Sequence, residues 1–389
     1  MISLSAAIMT HPRRADGAQR ICAAHPDLDA QVVMDPQPSG PPATLRTGRA
    51  AWESMAPGAT HHLVIQDDVT LCPGFRQKAM QAIAARPNDP LVLFASWGSR
   101  SGQSLRLGAL LGYSWVHNED PYVATQAVIL PAHLARGFVE ASRRYPADMP
   151  DNWALEQFLS SRSIAPLVAS PNLVDHDADG SMLGNDVFLG PRRSVTPWSE
   201  EEAATSGAYG GDVFTPLCIP LLDGAGAFAS AYFPQANAGA NRAMAALSFL
   251  VEAGLSRATI GDLFASDLAR TPAAAPAESG LGYPVLAQSW LVAFLLGVVT
   301  SYHQGGTDSE RLEVALRAPM AGRAIDSLAP GLLARLVPLD RLGPLSARLG
   351  PLCMAGLRTG FAAPRVHRAL ADLPGMIAFS AGRMALLQG

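Results

Sequence analysis

Lysine is nearly absent from this chain. Lys78 stands alone, so arginine carries almost all of the 29 basic charges, and with Ala, Gly and Pro abundant the bias reads as GC-rich coding rather than as function. Charge of either sign is scarce, at 16% of residues against 49% hydrophobic ones, and the net charge is -4. That balance argues against a largely disordered chain and against a general nucleic-acid binder. The four cysteines, Cys22, Cys72, Cys218 and Cys353, lie far apart without a C-x-x-C pair. Neither a disulfide framework nor a zinc knuckle is indicated, and a reducing, cytoplasmic setting fits. The chain also lacks a G-x-S-x-G elbow, an H-E-x-x-H helix and a G-x-G-x-x-G turn after a strand, which sets aside the enzyme classes those motifs serve.

Long apolar runs are few. Residues 1–10 are apolar but precede His11-Pro12-Arg13-Arg14, the reverse of the order in a secretion signal. Residues 285–302 form the longest run, interrupted by Gln288 and Ser289 and only marginally long enough for a bilayer, which needs about 20 residues. The expectation is a buried core helix and no transmembrane segment.

At 389 residues the chain has room for two or three domains. The first half alternates apolar strands (3–9, 30–34, 61–66, 91–95, 125–130, 167–169) with helical stretches (16–24, 45–55, 74–85, 132–144, 152–162), which predicts an α/β domain with a mixed sheet flanked by helices over residues 1–190. Residues 191–211 read as a linker, with Pro191, Pro197, the run Glu200-Glu201-Glu202 and Gly207, Gly210 and Gly211. Residues 212–389 read as a mainly helical domain, with helices predicted over 241–253, 285–302, 309–317 and 331–336. Ten arginines against four acids over 311–383 make this tail basic and point to an anionic partner. An R-L-x-P-L unit recurs there at Arg335, Arg341 and Arg348, each Pro able to open a helical turn with the leucines buried and the arginines in water.

The segment that carries chemistry is His61-His62-Leu63-Val64-Ile65-Gln66-Asp67-Asp68-Val69, followed by Cys72-Pro73-Gly74-Phe75. An apolar strand that delivers two adjacent carboxylates at its C-terminal end places hard oxygen ligands where open α/β sheets bind ligands. Such a pair suits Mn²⁺ or Mg²⁺, which keep positions free for phosphate oxygens. The plainer alternative is an Asx turn or helix cap. Cys72, followed by proline, reads as a structural thiol.

These residues resemble the nucleotide-sugar-dependent glycosyltransferases of the GT-A fold, most closely the lipooligosaccharide and collagen galactosyltransferase family. In that family a strand ends in a short acidic triplet and runs on to a Pro-Gly-Phe-like turn; here the triplet is Gln66-Asp67-Asp68, and Gln66 offers an oxygen without charge. The likeness continues in order through Thr125-Gln126-Ala127-Val128-Ile129-Leu130-Pro131-Ala132-His133-Leu134-Ala135, similar to a strand-then-helix unit in which a small-residue turn before the apolar strand lines the donor sugar pocket. It then passes through Asp151-Asn152-Trp153, similar to an acidic acceptor-side segment, to Pro171-Asn172-Leu173-Val174-Asp175-His176 with Ser181 behind, similar to the closing strand that brings a histidine to the metal. It covers residues 1–190 and leaves the second half unmatched.

The resemblance implies metal-dependent transfer of a hexose from a nucleoside diphosphate sugar to an acceptor hydroxyl on a peptide, glycan or natural product. Asp68 is the leading metal ligand, His176 a second, and Asp67 a ligand of the metal or of the donor ribose. Asp151 is the candidate general base, with Glu156 one turn on as fallback, and Asp151 is equally explained as an N-cap. Thr10, His11, Arg13 and Arg14, at the end of the first strand, together with Gln66 and Asp67, are expected to hold the nucleotide, the arginines as bidentate donors to diphosphate. Trp97-Gly98-Ser99-Arg100-Ser101-Gly102 is expected as a loop over donor or acceptor. The basic tail is expected to recruit an anionic peptide or carrier or to touch a membrane peripherally. The rival reading, prompted by Gln66, is a catalytically degenerate binding or scaffolding protein.

Overall fold

The computed structural model describes residues 2–41, 43–146, 148–176, 190–198, 209–223, 228–234 and 243–371. Ser181, the acidic run at 200–202 and the last residues of the basic tail lie outside the described residues. The chain divides into two compact units, the first made of Met1–Ser96, Tyr113–Val187 and Arg192–Phe214, the second of Trp97–Gly112, Phe188–Pro191 and Thr215–Gly389.

The first unit is α/β, built on a mixed eight-stranded sheet in the order β10-β6-β8-β5-β7-β3-β1-β2. Strands β1 (Leu4–Thr10), β2 (Gln31–Met34) and β3 (His61–Gln66) are mutually parallel. Their connections are α1 (Ala15–Ala24) and α2 (Thr44–Glu53). Strand β7 (Ala127–Pro131) runs antiparallel to both β3 and β5 (Leu91–Val92), so β5 and its parallel neighbour β8 (Leu167–Ala169) share the direction of β1. Strand β6 (Trp115–His117) reverses again, and β10 (Val213–Phe214) follows it. The apolar runs in β1, β3 and β7 are nearly continuous because helices cover the faces of the sheet and bury both sets of side chains. Beside this sheet, β4 (Val69–Leu71) and β9 (Val174–His176) form a small antiparallel pair. Helix α3 (Phe75–Ala85) starts after Gly74, whose φ of +64° lies in the left-handed region that favours glycine. Helices α5 (Ala132–Ser142) and α6 (Asp151–Ser160) complete the unit.

The second unit holds an antiparallel sheet, β11 (Ile219–Asp223), β12 (Phe228–Tyr232) and β13 (Ala243–Ala245), and a helical core. Its helices are α4 (Arg100–Leu110), α7 (Ala246–Glu252), α8 (Arg257–Arg270), α9 (Pro276–Ser279), α10 (Tyr283–His303), α11 (Ser309–Leu316), α12 (Ala321–Asp326), α13 (Leu328–Leu333), α14 (Leu339–Phe361) and α15 (Pro364–Ala371). Helix α10 is long and apolar enough to cross a membrane by length and composition alone, and 78% of its most apolar window is buried. It lies against α14 at backbone distance, since a Cβ on Gly297 would overlap the Leu357 carbonyl and one on Gly360 the Phe294 carbonyl.

Three sequence expectations give way here. The stretch from Trp97 to Gly102 is not a loop over a ligand: Ser99 caps α4 by accepting from the Gly102 N–H at 2.9 Å, and α4 packs on β11, α10 and α12 in the second unit. Its Arg106 is fully buried, donating to the Ala324 and Ser327 carbonyls at 3.2 and 2.7 Å. The polar lettering of SRSGQSLR hid a helix that is buried on every side. The prolines of the R-L-x-P-L units do not each open a helical turn: Pro338 precedes α14, but α14 runs through Pro344 and Pro351. Burial of Leu342, Leu345, Leu349 and Leu352 on one face outweighs the local cost of about 3 kcal/mol per proline, while Arg341 and Arg348 stay exposed. Finally, residues 243–245 are a strand, where a helix was expected from 241, and β11 and β12 went unanticipated.

Candidate functional site

Strand β3 ends at Gln66 beside Met9 of β1, and the turn that follows carries Asp67 and Asp68. The chain continues as β4, whose register against β9 sets Val69 opposite His176. That pairing carries the imidazole to the acidic turn, with His176 Nε2 3.4 Å from Asp68 Oδ2. The end of β1 and the short helical turn after it supply two further groups. Thr10 donates its hydroxyl to Asp67 Oδ2 at 2.5 Å. Arg14 sets Nε 3.1 Å from Asp67 Oδ1 and Nη1 3.5 Å from Asp68 Oδ2. Helix α1 rests directly on the turn: a Cβ on Gly17 would overlap the Asp67 carbonyl oxygen.

The two carboxylates are held differently. Burial dominates at Asp67 and raises its pKa, against the Thr10 hydrogen bond and the Arg14 charge. At Asp68 burial also pushes upward, but the His176 imidazole together with Arg14 and Arg192 outweighs it and keeps this carboxyl below its ordinary value. Asp68 is thus held in its ionised form. Among the described residues, Asp68 Oδ1 and His176 Nε2 are buried without a hydrogen-bond partner. Buried polar atoms are normally satisfied, and a cation bound by carboxylate and neutral imidazole would satisfy both. Asp67 is different, with its oxygens already engaged by Thr10 and Arg14. No group of three or more His, Cys, Asp or Glu side chains arranged for a metal occurs among the described residues. Asp68 and His176 therefore fit Mn²⁺ or Mg²⁺ as a two-ligand set whose other positions fall to phosphate oxygens and water.

Asp151 sits on the same edge of the sheet, on the Met9 side. It is the first residue of α6, with Pro150 rather than Asp151 in the N-cap position. Its carboxyl lines a pocket with Met9, Trp52, Val64, Thr125, Val128 and Leu155. Burial raises its pKa, opposed by hydrogen bonds from the Thr44 and Thr125 hydroxyls. Gln66 turns to the same place, donating Nε2 to Thr125 Oγ1 at 3.0 Å, so Thr125 links the acidic turn to Asp151. Glu156 is not brought to this pocket: five positions on, it lies about 140° around the helix, half-buried, its pKa raised by burial.

The remaining predicted residues divide between the site and its scaffold. His11 caps the short helical turn Pro12–Arg14, accepting from the Arg13 N–H at 3.1 Å, while its Nε2 lies 3.1 Å from the Pro38 carbonyl. That makes His11 a fastener of the loop after β2. Arg13 is exposed on the same turn. Cys72 is buried and its pKa is pushed up to about 12 by that burial, which fits a structural thiol. Sequence reading missed Asp35, which Arg46 grips at 2.7 and 2.6 Å at the end of β2, and did not foresee that Thr44 and Thr125 bear on Asp151 or Arg192 on Asp68. Asp35 did carry a signal, an acid directly after a strand that ends on the ligand-binding edge of a parallel sheet; the others are threonines and an arginine whose partners lie far off in sequence. No family model matches this chain, and no curated protein matches it.

Proposed function

We propose that the first unit transfers a hexose from a nucleoside diphosphate sugar to an acceptor hydroxyl, with a GT-A-like arrangement and a divalent cation. The observation that carries this reading is the convergence of Asp68 and His176 at the C-terminal end of the parallel strands, with Asp68 Oδ1 and His176 Nε2 both buried and unsatisfied among the described residues. Five co-directional strands around the reversed β7, and a closing strand β9 that presents the histidine, support it. When bound, the cation supplies Lewis-acid neutralisation of the departing diphosphate. The chain's own groups do the rest. Arg14 offers a guanidinium fork to phosphate oxygens. Thr10 holds Asp67, and Asp67 in turn anchors Arg14. Asp151, its pKa raised, accepts the acceptor proton if the transfer inverts configuration.

The rival, a degenerate binding module, draws on Gln66, whose amide faces Thr125 instead of completing an acidic triplet. Thermal shift with UDP-, GDP- and dTDP-sugars, with and without Mn²⁺, tests the main reading. The expected result is Mn²⁺-dependent stabilisation by one donor class together with donor consumption. Stabilisation without turnover favours the binding module. No shift with any donor sinks both.

A further inference from the structure

We infer that Arg14 is an exchangeable counter-ion of the acidic turn: a divalent cation must displace it from Asp68, and the released guanidinium then takes the donor diphosphate, so that metal and nucleotide bind cooperatively. The inference rests on the metal assignment to Asp68 and His176 made above.

Among the arginines of the first unit that grip carboxylates, Arg46 and Arg14 differ. Arg46 is woven into its surroundings, with two hydrogen bonds to Asp35 and others to the Gln37 and Pro41 carbonyls. It fastens a loop. Arg14, among the described residues, directs its side chain only to Asp67 and Asp68, at 3.1 and 3.5 Å. Its backbone is fixed by the capped Pro12–Arg14 turn, so the side chain can change partner without moving the strand end.

The oxygen it approaches on Asp68, Oδ2, is the one that faces His176 Nε2 at 3.4 Å. A doubly charged ion held between Asp68 and His176 would stand within a few ångströms of the guanidinium, with both groups only 16–20% exposed and poorly screened. An ion on Oδ1 and a guanidinium on Oδ2 would share one poorly screened carboxylate, and their repulsion makes that costly. Without a ligand, Arg14 offsets the charge of the carboxylates and weakens their hold on metal. A diphosphate removes the conflict, because its oxygens accept from the guanidinium while they complete the coordination of the ion. Each ligand lowers the penalty of the other, and linkage makes that coupling reciprocal.

The test measures Mn²⁺ binding to the full chain by the EPR signal of free Mn²⁺, with and without UDP, for wild type, Arg14→Gln and Arg14→Lys, with Asp68→Asn identifying the site. Arg14→Gln is expected to bind Mn²⁺ alone roughly fivefold or more tighter than wild type, with Arg14→Lys between them. UDP should tighten Mn²⁺ binding in wild type by a similar factor and do little in Arg14→Gln. The inference is overturned if Arg14→Gln binds Mn²⁺ no tighter than wild type while Asp68→Asn abolishes binding, an outcome that leaves the metal site standing. If no variant binds Mn²⁺ even with UDP, the metal reading and this inference fall together. Should Arg14→Gln not fold, Arg14→Lys reports the same change in the same direction.

Discussion

Two carboxylates with buried oxygens, one in each unit, are satisfied to different degrees. Asp267 of the second unit is fully buried, yet its oxygens are saturated: Trp290 Nε1 donates to Oδ2 at 2.7 Å, Thr359 Oγ1 reaches both oxygens at 2.8 and 3.1 Å, and Arg270 covers Oδ1. Helices α8, α10 and α14 converge on it. Asp68 of the first unit is approached by Arg14 and His176 at 3.5 and 3.4 Å on Oδ2, and its Oδ1 has no hydrogen-bond partner among the described residues. A buried oxygen is common to both; unspent bonding capacity belongs to Asp68. A saturated buried acid holds helices together, whereas an unsaturated one, kept ionised by its neighbours, has something left to bind.

The largest effect expected from this contrast is thermodynamic. Asp267→Ala strands the Trp290 and Thr359 donors in an apolar core and should cost about 3–5 kcal/mol in denaturant unfolding. Asp68→Asn should leave the unfolding midpoint near wild type and cut transfer roughly 10²-fold or more under saturating Mn²⁺. The comparison breaks if Asp68→Asn unfolds as early as Asp267→Ala, or if its turnover matches wild type.

Two glycines sharpen it further. Gly360→Ala and Gly17→Ala each drive a methyl into backbone, at the α10–α14 contact and at the Asp67 carbonyl respectively. Each should cost about 1–3 kcal/mol. Only Gly17→Ala should also weaken Mn²⁺ and UDP binding, measured at a temperature where both variants are folded. Equal ligand affinity in Gly17→Ala and wild type would show that the position of the acidic turn is not what the site depends on.

How much of this was legible beforehand depends on whether the signal was local. The strand that ends in Asp67-Asp68 was readable, because an apolar run, two acids and a Pro-Gly turn are contiguous. The α/β character of the first half followed from alternation of the same local kind. Helix α4 was not readable: Ser99, Ser101, Gly102, Gln103, Ser104 and Arg106 look like a surface loop, and only long-range partners such as Ser327 make their burial possible. Helix α14 was hidden by its prolines, whose local penalty is offset by leucines spaced to one face. Strands β11, β12 and β13 are short and find their pairing only in each other. Within the site, the convergence of His176 on Asp68 depends on the β4–β9 register, and the Arg14 contact on a neighbouring strand end. Neither can be read from spacing along the chain.

The pH dependence of stability separates the two kinds of acid in another way. Burial raises the Asp151 carboxyl above its ordinary 3.8. Between the unfolded and the raised folded value the folded state holds more protons, so stability falls as pH rises through that window. Asp151→Asn carries no titrating proton and should melt later than wild type above the window, with the gain fading as pH drops below about 4, while inverting transfer is lost. A variant that melts with wild type at every pH would remove the electrostatic argument for Asp151 as a base.

The smallest expected effect concerns the exposed face of the second unit. Arg335, Arg341 and Arg348 are exposed, Arg348 also donating to the Glu278 carbonyl, while Leu342, Leu345, Leu349 and Leu352 are buried; Arg341 and Arg348 sit two turns apart on α14, roughly 10 Å along its axis. Replacing all three with Gln should shift unfolding by no more than about 0.5 kcal/mol. Any loss must then appear in recognition. Attraction to an anionic acceptor is screened within about 8 Å at physiological salt, so the triple variant should raise the acceptor KM a few-fold at low salt and converge with wild type as salt rises. The donor KM, set at the Asp68 site, should not move. A rise in both constants would mean that the substitutions perturb the fold. An acceptor KM unchanged at low salt would show that the basic face takes no part in binding the acceptor, and the excess of arginine in the second unit would then be a matter of solubility alone.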